Sequence, residues 1–419
     1  MMGKLRYLLT RMFFFSMGLR VEKWRREVGY LWSLGIEERN SVLERILQAN
    51  KPINAEGAEV TSLSELKGPP SLNKKQYQRL NCGAKTTAAF KRKTSGTTGE
   101  PTSVTLSREE LSRMLGVRDY CFRQYGVRVG DREARFWGRP EYSFKSNLKN
   151  FVLNRKVCFP SGEQDTDSLV KTLNSAPDYL YGYASLLLEA AALIEKNSIS
   201  FKPPKCVICT AETILPAQKE YLERVFNAPV VEEYGATEFD IVAFECKEGH
   251  RHFVNPWLII RESEDSLLIT DVSRKSSSIV NYELGDTGYM DSTDCGLLGD
   301  SIYLRNLTGR SVNRFVYIDS ETKFHSVNIS YAINDFQKKE QKIFSFKIIQ
   351  DEYGVVDLYV SVELSYLKDI LKRYIEEYIK DRTGNKVVIN IFDNKQLNGY
   401  TGKSYFIQNI CMSNGATAS

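Results

Sequence analysis

Between residues 184 and 231 the chain alternates helical and extended patterns, and this leaves few folds open. Residues 184–197 carry Leu186-Leu187-Leu188 with Ala191 and Ile194 at helical spacing. Cys206-Val207-Ile208-Cys209 is a short apolar strand, and Pro216 opens a helix over 217–226, where its missing N–H costs nothing. Pro229-Val230-Val231 begins another strand. Strand–helix–strand alternation predicts a mixed α/β core. Cys206 and Cys209 lie three apart on a strand, so they face opposite sides and read as core. Residues 240–305 alternate polar and apolar over short runs, which predicts antiparallel strands.

The flanks read differently. Residues 1–80 are mostly helical in pattern, with Ile36, Val42, Leu43, Ile46 and Leu47 on one face. The Gly-, Thr- and Ser-rich stretch 85–106 predicts a loop, and 127–137 and 150–159 predict strand–turn segments. The last hundred residues read as a separate small unit. It has strands over 344–350, 355–363 and 386–392, and an amphipathic helix marked by Leu367, Ile370, Leu371, Tyr374, Ile375, Tyr378 and Ile379. The tail 413–419 is small and polar and is expected to be disordered.

A length of 419 residues suggests two to three domains. The net charge of +5 is small for this length and gives no argument for a nucleic-acid partner. Eight scattered cysteines form no disulfide framework, which fits reduced thiols and a cytoplasmic location. The basic start contains the short run Met12-Phe13-Phe14-Phe15. It is too short to span a bilayer and lacks a signal peptide's cleavage pattern, so it reads as a first helix without stable membrane insertion; weak surface attachment is left open.

Thr94-Ser95-Gly96-Thr97-Thr98-Gly99-Glu100-Pro101-Thr102 is the strongest motif. Its glycines allow a tight turn and close approach to a ligand, its hydroxyls can donate to phosphate oxygens, and successive N–H groups can form an anion nest. It is not a Walker loop, because no Gly-Lys-Ser/Thr follows. Ser/Thr/Gly runs also serve as plain linkers.

This stretch resembles the Ser-Gly-Thr-Thr-Gly-x-Pro signature of the acyl-adenylate-forming superfamily, with Thr102 in place of the usual basic residue. Further segments follow in that superfamily's order. Tyr234-Gly235-Ala236-Thr237-Glu238 resembles Tyr-Gly-x-Thr-Glu, preceded by Thr210-Ala211-Glu212 in the place of Gly-Ala-Glu. Gly285-Asp286-Thr287-Gly288 with Thr308-Gly309-Arg310 resembles the ribose motifs, and Gly402-Lys403 the C-terminal lysine loop. Length and spacing are similar to the phenylacetate–CoA ligase-like branch, which includes the CapK-like proteins of surface-polysaccharide loci. Tyr181-Gly182-Tyr183-Ala184-Ser185 is similar to that branch's Gly-Tyr-Pro-Ser, whereas Asn281 stands where the branch has arginine.

The resemblance implies a large α/β adenylation domain over 1–310, a small mobile α+β lid over 311–412 and a tail over 413–419. It implies ATP and Mg²⁺ as cofactors, and coenzyme A as the default acceptor. Ser95, Gly96, Thr97, Thr98 and Gly99 would hold phosphates, and Ala211, Glu212, Tyr234 and Gly235 the adenine. Thr237 would meet the α-phosphate, Glu238 would bind Mg²⁺, Asp286 and Arg310 would bind the ribose, and Lys403 would serve adenylation. Trp137, Tyr181, Gly182 and Tyr183 are candidates for the acid pocket, although aromatics at such positions are as often core. The implied reaction joins a carboxylic acid to AMP with release of pyrophosphate, then transfers the acyl group to a thiol or an amine. A degenerate nucleotide binder without turnover is the alternative. Relatives of this kind are often homodimers.

Some branch members carry structural zinc on a Cys, a His six residues later and a Cys-x-Cys-Gly. Cys246, His252 and Cys295 match that pattern, with Thr293 replacing the fourth ligand and His250 or Asp294 available instead. Three ligands leave tetrahedral closure open, and a polar hairpin with a stray cysteine is at least as good a reading.

Overall fold

The computed structural model describes residues 2–67, 70–81, 90–93, 103–138, 143–160, 162–263, 266–296, 298–308, 315–361, 364, 366–393 and 406–408. Four helices open the chain: α1 (Met2–Ser16), α2 (Val21–Ser33), α3 (Ile36–Asn50) and α4 (Lys74–Leu80). Strands β1 (Phe90–Lys93) and β2 (Ser103–Leu106) pair antiparallel, with Lys93 opposite Ser103. Helix α5 (Arg108–Phe122) then begins at a capping box, in which Ser107 and Glu110 satisfy each other's backbone N–H groups.

The alternating segment follows: β3 (Glu133–Phe136), α6 (Phe144–Val152), β4 (Arg155–Cys158), α7 (Thr166–Leu173), β5 (Tyr179–Gly182), α8 (Ala184–Lys196), β6 (Cys206–Thr210), α9 (Pro216–Phe226) and β7 (Val230–Ala236). Next come β8 (Asp240–Glu245), β9 (Arg251–Phe253), β10 (Leu258–Glu262), β11 (Leu267–Asp271), β12 (Tyr282–Glu283), β13 (Thr287–Ser292) and β14 (Ile302–Thr308). Nine strands form one sheet in the order β13-β14-β9-β8-β7-β6-β5-β3-β4. Its β7-to-β4 half is parallel, and its other half is antiparallel.

Strands β5 and β6 are buried on both faces. Tyr179, Tyr181, Cys206 and Ile208 pack with Val28, Leu31, Val117 and Phe122 of α2 and α5. Leu180, Val207 and Cys209 pack with Leu169, Leu187, Leu222 and Phe226 of α7, α8 and α9. Each such fully buried Leu or Phe contributes roughly 1.5–3 kcal/mol. Cys206 and Cys209 therefore do lie in opposite layers.

The C-terminal part comprises β15 (Phe315–Tyr317), β16 (Lys323–His325), α10 (Val327–Glu340), β17 (Phe346–Gln350), β18 (Val355–Val360), α11 (Leu367–Thr383), β19 (Val388–Asp393) and β20 (Phe406–Gln408). Its sheet runs β19-β18-β17-β20. An apolar cluster from Val316 to Ile389 fills it and also takes in Leu215, at the start of α9. Asn334 Oδ1 accepts the Ala217 N–H at 3.1 Å, and Gln218 donates to the Phe344 carbonyl at 2.9 Å.

Two local readings change. The stretch 85–106 is not wholly a loop, because its flanks form the β1–β2 hairpin. Of the segment 150–159, residues 150–152 are helical rather than extended, as the end of α6, which Ser143 caps through the Ser146 N–H, and 155–158 form β4. Asn281 does not fill the missing arginine's place with a free polar group. It sits at φ 49°, its Nδ2 donates to the Leu66 carbonyl at 3.1 Å, and its backbone N–H donates to Thr270 at 2.9 Å. Asn tolerates this left-handed conformation better than most residues.

Candidate active site

In open α/β sheets ligands gather at strand carboxyl ends, at the point where strand order reverses. Here β4 lies outside β3, and β5, β6 and β7 progress the other way, so the reversal falls between β3 and β5. Trp137, directly after β3, meets Tyr181 in a stacked pair at 6.0 Å and Tyr183 at 4.2 Å. Gly182 lies between these tyrosines because nothing larger fits: a Cβ there would stand 2.1 Å from the Phe136 carbonyl oxygen. The four residues proposed for an acid pocket thus meet at one point.

At the end of β6, Ala211 adopts φ 65°, a strained conformation of the kind found at functional sites. Glu212 turns to the neighbouring helix. It accepts the Ser185 backbone N–H at 2.8 Å and the Ser185 hydroxyl at 3.1 Å, near the positive end of α8. At the end of β7, the Tyr234 hydroxyl donates to Asp286 at 3.1 Å, across 52 positions of sequence. Gly235 permits the tight β7–β8 turn, since a Cβ would meet the Asp240 carbonyl oxygen at 2.0 Å. Glu238, in that turn, is buried; the Tyr282 hydroxyl donates to its carboxylate at 3.0 Å, and Arg274 donates to its main-chain oxygen.

Behind this edge lies a charged network absent from the sequence reading. Arg118 of α5 reaches Glu233 at 3.2 Å and Asp240 at 3.0 Å, and Arg92 of β1 reaches the same Asp240 oxygen at 3.3 Å. Tyr181 and Thr210 donate to the other Glu233 oxygen at 2.7 and 3.1 Å. Burial pushes the Glu233 carboxyl up, and Arg118 offsets this only in part. Burial also opposes ionisation of Asp240, but Arg118 and Arg92 outweigh it and hold that carboxyl below its ordinary value. The only sequence trace of this network is position: Glu233 precedes Tyr234, and Asp240 follows the motif by two residues. Their partner Arg118 lies on a helix whose surface pattern gives no clue.

A second cluster forms where the β8–β9 turn meets the segment after β13. Ligand atoms of Cys246, His250, His252 and Cys295 lie within 4.8 Å of one another. The two sulfurs are 3.6 Å apart, far beyond a disulfide bond and close to the ~3.8 Å edge of a tetrahedron with 2.3 Å metal–sulfur bonds. His252 Nδ1 lies 2.5 Å from the Asp300 carbonyl oxygen, which fixes the proton there and leaves Nε2 as a lone pair. That Nε2 and His250 Nδ1 are buried without a hydrogen-bond partner. Burial lowers the His252 pKa, disfavouring the charged ring. The donor set fits a tetrahedral metal. His250, and not the exposed Asp294, stands with the other three donors.

Ser95, Gly96, Thr97, Thr98, Gly99, Arg310 and Lys403 lie outside the described residues. The strands that flank residues 94–102 in sequence are described, and Arg92 ties the first of them to Asp240.

No family model matches the chain. It is 24% identical to Protein CapK of Staphylococcus aureus over 335 residues, covering 76% of this chain and 74% of CapK. Its structure matches 2-hydroxyisobutyryl-CoA ligase in the postadenylation state, in complex with R3-HIB-AMP, with a TM-score of 0.66 at 13% identity, over 86% of this chain and 87% of that one. The chain has the acyl-adenylate-forming ligase fold. The anthranilate CoA ligase AuaEII in complex with anthranoyl-AMP matches with a TM-score of 0.50 at 13% identity, over 73% of this chain and 63% of that one. The resemblance to CapK and to adenylate-forming ligases read from the motifs therefore holds across most of this chain.

Proposed function

We propose that this acyl-adenylate-forming homologue activates a carboxylic acid with ATP, forming acyl-AMP and pyrophosphate, and passes the acyl group to coenzyme A. The observation that carries the reading is the Tyr234–Asp286 hydrogen bond. It joins the adenine-side and ribose-side motifs at the edge where β5, β6 and β7 end, a few residues from buried Glu238. Such chemistry depends on positioning and on neutralising charge rather than on covalent help from the protein. Trp137, Tyr181 and Tyr183 would contact the acid, Tyr234 and Asp286 the nucleoside, and Ser95–Gly99 the phosphates. Arg310 would assist at the ribose, and Lys403 would meet the charge that develops between carboxylate and α-phosphate. Glu238 would hold Mg²⁺, which neutralises phosphate charge when bound. Residues 311–412 would act as the lid, and the branch resemblance supports surface-polysaccharide synthesis as the use of the product.

Acid-dependent pyrophosphate release, run over a carboxylic-acid panel with and without coenzyme A, tests this. Release that needs one class of acid, rises with coenzyme A and falls about 10²–10³-fold in Lys403→Ala is the expected result. ATP binding without release for any acid would sink it in favour of a non-turnover homologue. Release that responds to an added amine instead of coenzyme A would reassign the acceptor.

We also propose zinc at Cys246, His250, His252 and Cys295. Purified protein should carry about one zinc per chain by elemental analysis, reflecting the four-ligand closure of structural sites. His250→Ala and Cys246→Ser should lose it and melt at lower temperature, whereas Asp294→Ala should keep it. Full zinc retention in His250→Ala would refute that ligand set.

A further inference from the structure

A surface helix normally turns its apolar stripe inward. Helix α1 does so only in part. It buries Phe14 and the small polar Thr10, which donates to the Val152 carbonyl at 2.8 Å, while Leu5, Leu8, Leu9, Met12 and Phe15 form an exposed stripe at helical spacing. Met12 is 67% and Phe15 65% exposed. Helix α6 packs beside α1 and repeats the pattern, with Phe144 (85% exposed), Leu148 and Phe151 all solvent-facing. The helices join where the Arg6 guanidinium donates to the Phe151 carbonyl at 2.7 Å and lies 4.6 Å over its ring.

The charges around these stripes have one sign. Neither helix contains an aspartate or glutamate. Arg6 of α1, Lys145 and Lys149 of α6, and Arg20, whose guanidinium covers the Phe15 ring at 3.9 Å, border the apolar residues. The nearby acids are engaged: Glu22 pairs with Arg11 of α1 as well as with Arg25, Arg26 and Arg123, and Asp131 with Arg128. Among the described residues no helix is long and apolar enough to cross a membrane.

We propose that the α1–α6 face docks on an anionic lipid surface, with the two apolar stripes entering the headgroup–acyl boundary and the basic residues meeting lipid phosphates. Apolar stripes flanked only by cations are what interfacial helices present. A second copy of this chain fits the face poorly, because two such surfaces would oppose cation to cation. The surface stands apart from the Tyr234–Glu238 edge and does not depend on the reaction assigned to it.

The test is sedimentation of the full-length protein with phosphatidylcholine vesicles containing none or 30% phosphatidylglycerol, at low and high salt. Binding should need the anionic lipid and weaken with salt. Lys145→Glu with Lys149→Glu should lower the partition coefficient roughly tenfold or more, since each cation near the surface adds about one such increment or slightly less. Met12→Ser with Phe144→Ser should weaken binding without changing circular dichroism or melting temperature. No binding to 30% phosphatidylglycerol vesicles would overturn the proposal. So would binding that both double variants leave unchanged, or a concentration-dependent dimer in free solution that Met12→Ser with Phe144→Ser abolishes.

Discussion

Replacing Arg118 with methionine lowers the melting temperature by roughly 5–10 °C at pH 8, and by less at pH 5. Removing one partner from a buried ionic network costs about 3–5 kcal/mol, because the remaining charges stay desolvated without compensation, and for a chain of this size each kcal/mol is worth about 2 °C. Arg118 is the shared counter-ion of Glu233 and Asp240. Without it, Asp240 still has Arg92, but Glu233 keeps only the Tyr181 and Thr210 hydroxyls. Burial already raises the Glu233 carboxyl above its ordinary value, and loss of the guanidinium raises it further. A carboxyl whose folded pKa is raised binds its proton more tightly when folded, so stability falls as pH rises from the unfolded value through the folded one. The deficit must therefore widen from pH 5 to pH 8. Thermal melts at both values check this, and an equal shift at both would mean that Glu233 is not the group left unpaired.

The sequence was legible where local chemistry decides structure. The alternation over residues 184–231 called for helices between strands, and α8, β6, α9 and β7 are those elements. Gly182 and Gly235 were singled out by the motifs they belong to, and each stands where a Cβ would strike a carbonyl oxygen. What escaped depends on contacts between distant segments. Helix α5 buries Glu110, Ser112 and Asp119 beside Met114 and Val117, so its faces do not separate into polar and apolar stripes, and the periodicity that marks a surface helix is absent. Arg118 on that helix could not be paired with Glu233, 115 positions away. The metal-ligand set was incomplete for a similar reason. His250 lies four residues after Cys246 in a turn where Cys246 accepts the Gly249 N–H, and only that turn swings the imidazole towards Cys295. Helix α1 was legible as a helix, yet nothing in its sequence says that Thr10, rather than Leu9 or Met12, faces inward.

Glu238→Gln should cut pyrophosphate release about 10²–10³-fold while leaving the melting temperature within a few degrees of the wild-type value. The substitution keeps the shape of a buried side chain whose carboxylate accepts the Tyr282 hydroxyl at 3.0 Å. An amide oxygen still accepts that bond, and the Arg274 contact is to the main chain, so neither is lost. Only the negative charge disappears. If Glu238 holds the cation that neutralises the triphosphate, removing that charge takes away stabilisation that the transition state needs most, a loss of the size seen when one electrostatic group is deleted. The Mg²⁺ concentration for half-maximal release should rise in the same variant, because a hard cation gains most from an ionised oxygen ligand. Tyr282→Phe supplies the contrast. It keeps the charge and frees the carboxylate from its hydroxyl, so activity should fall only about tenfold with little change in Mg²⁺ demand. If Glu238→Gln turned over normally at low Mg²⁺, or if both variants lost activity only in step with melting temperature, Glu238 would be a structural acid of the β7–β8 turn and the cation would have to be held elsewhere.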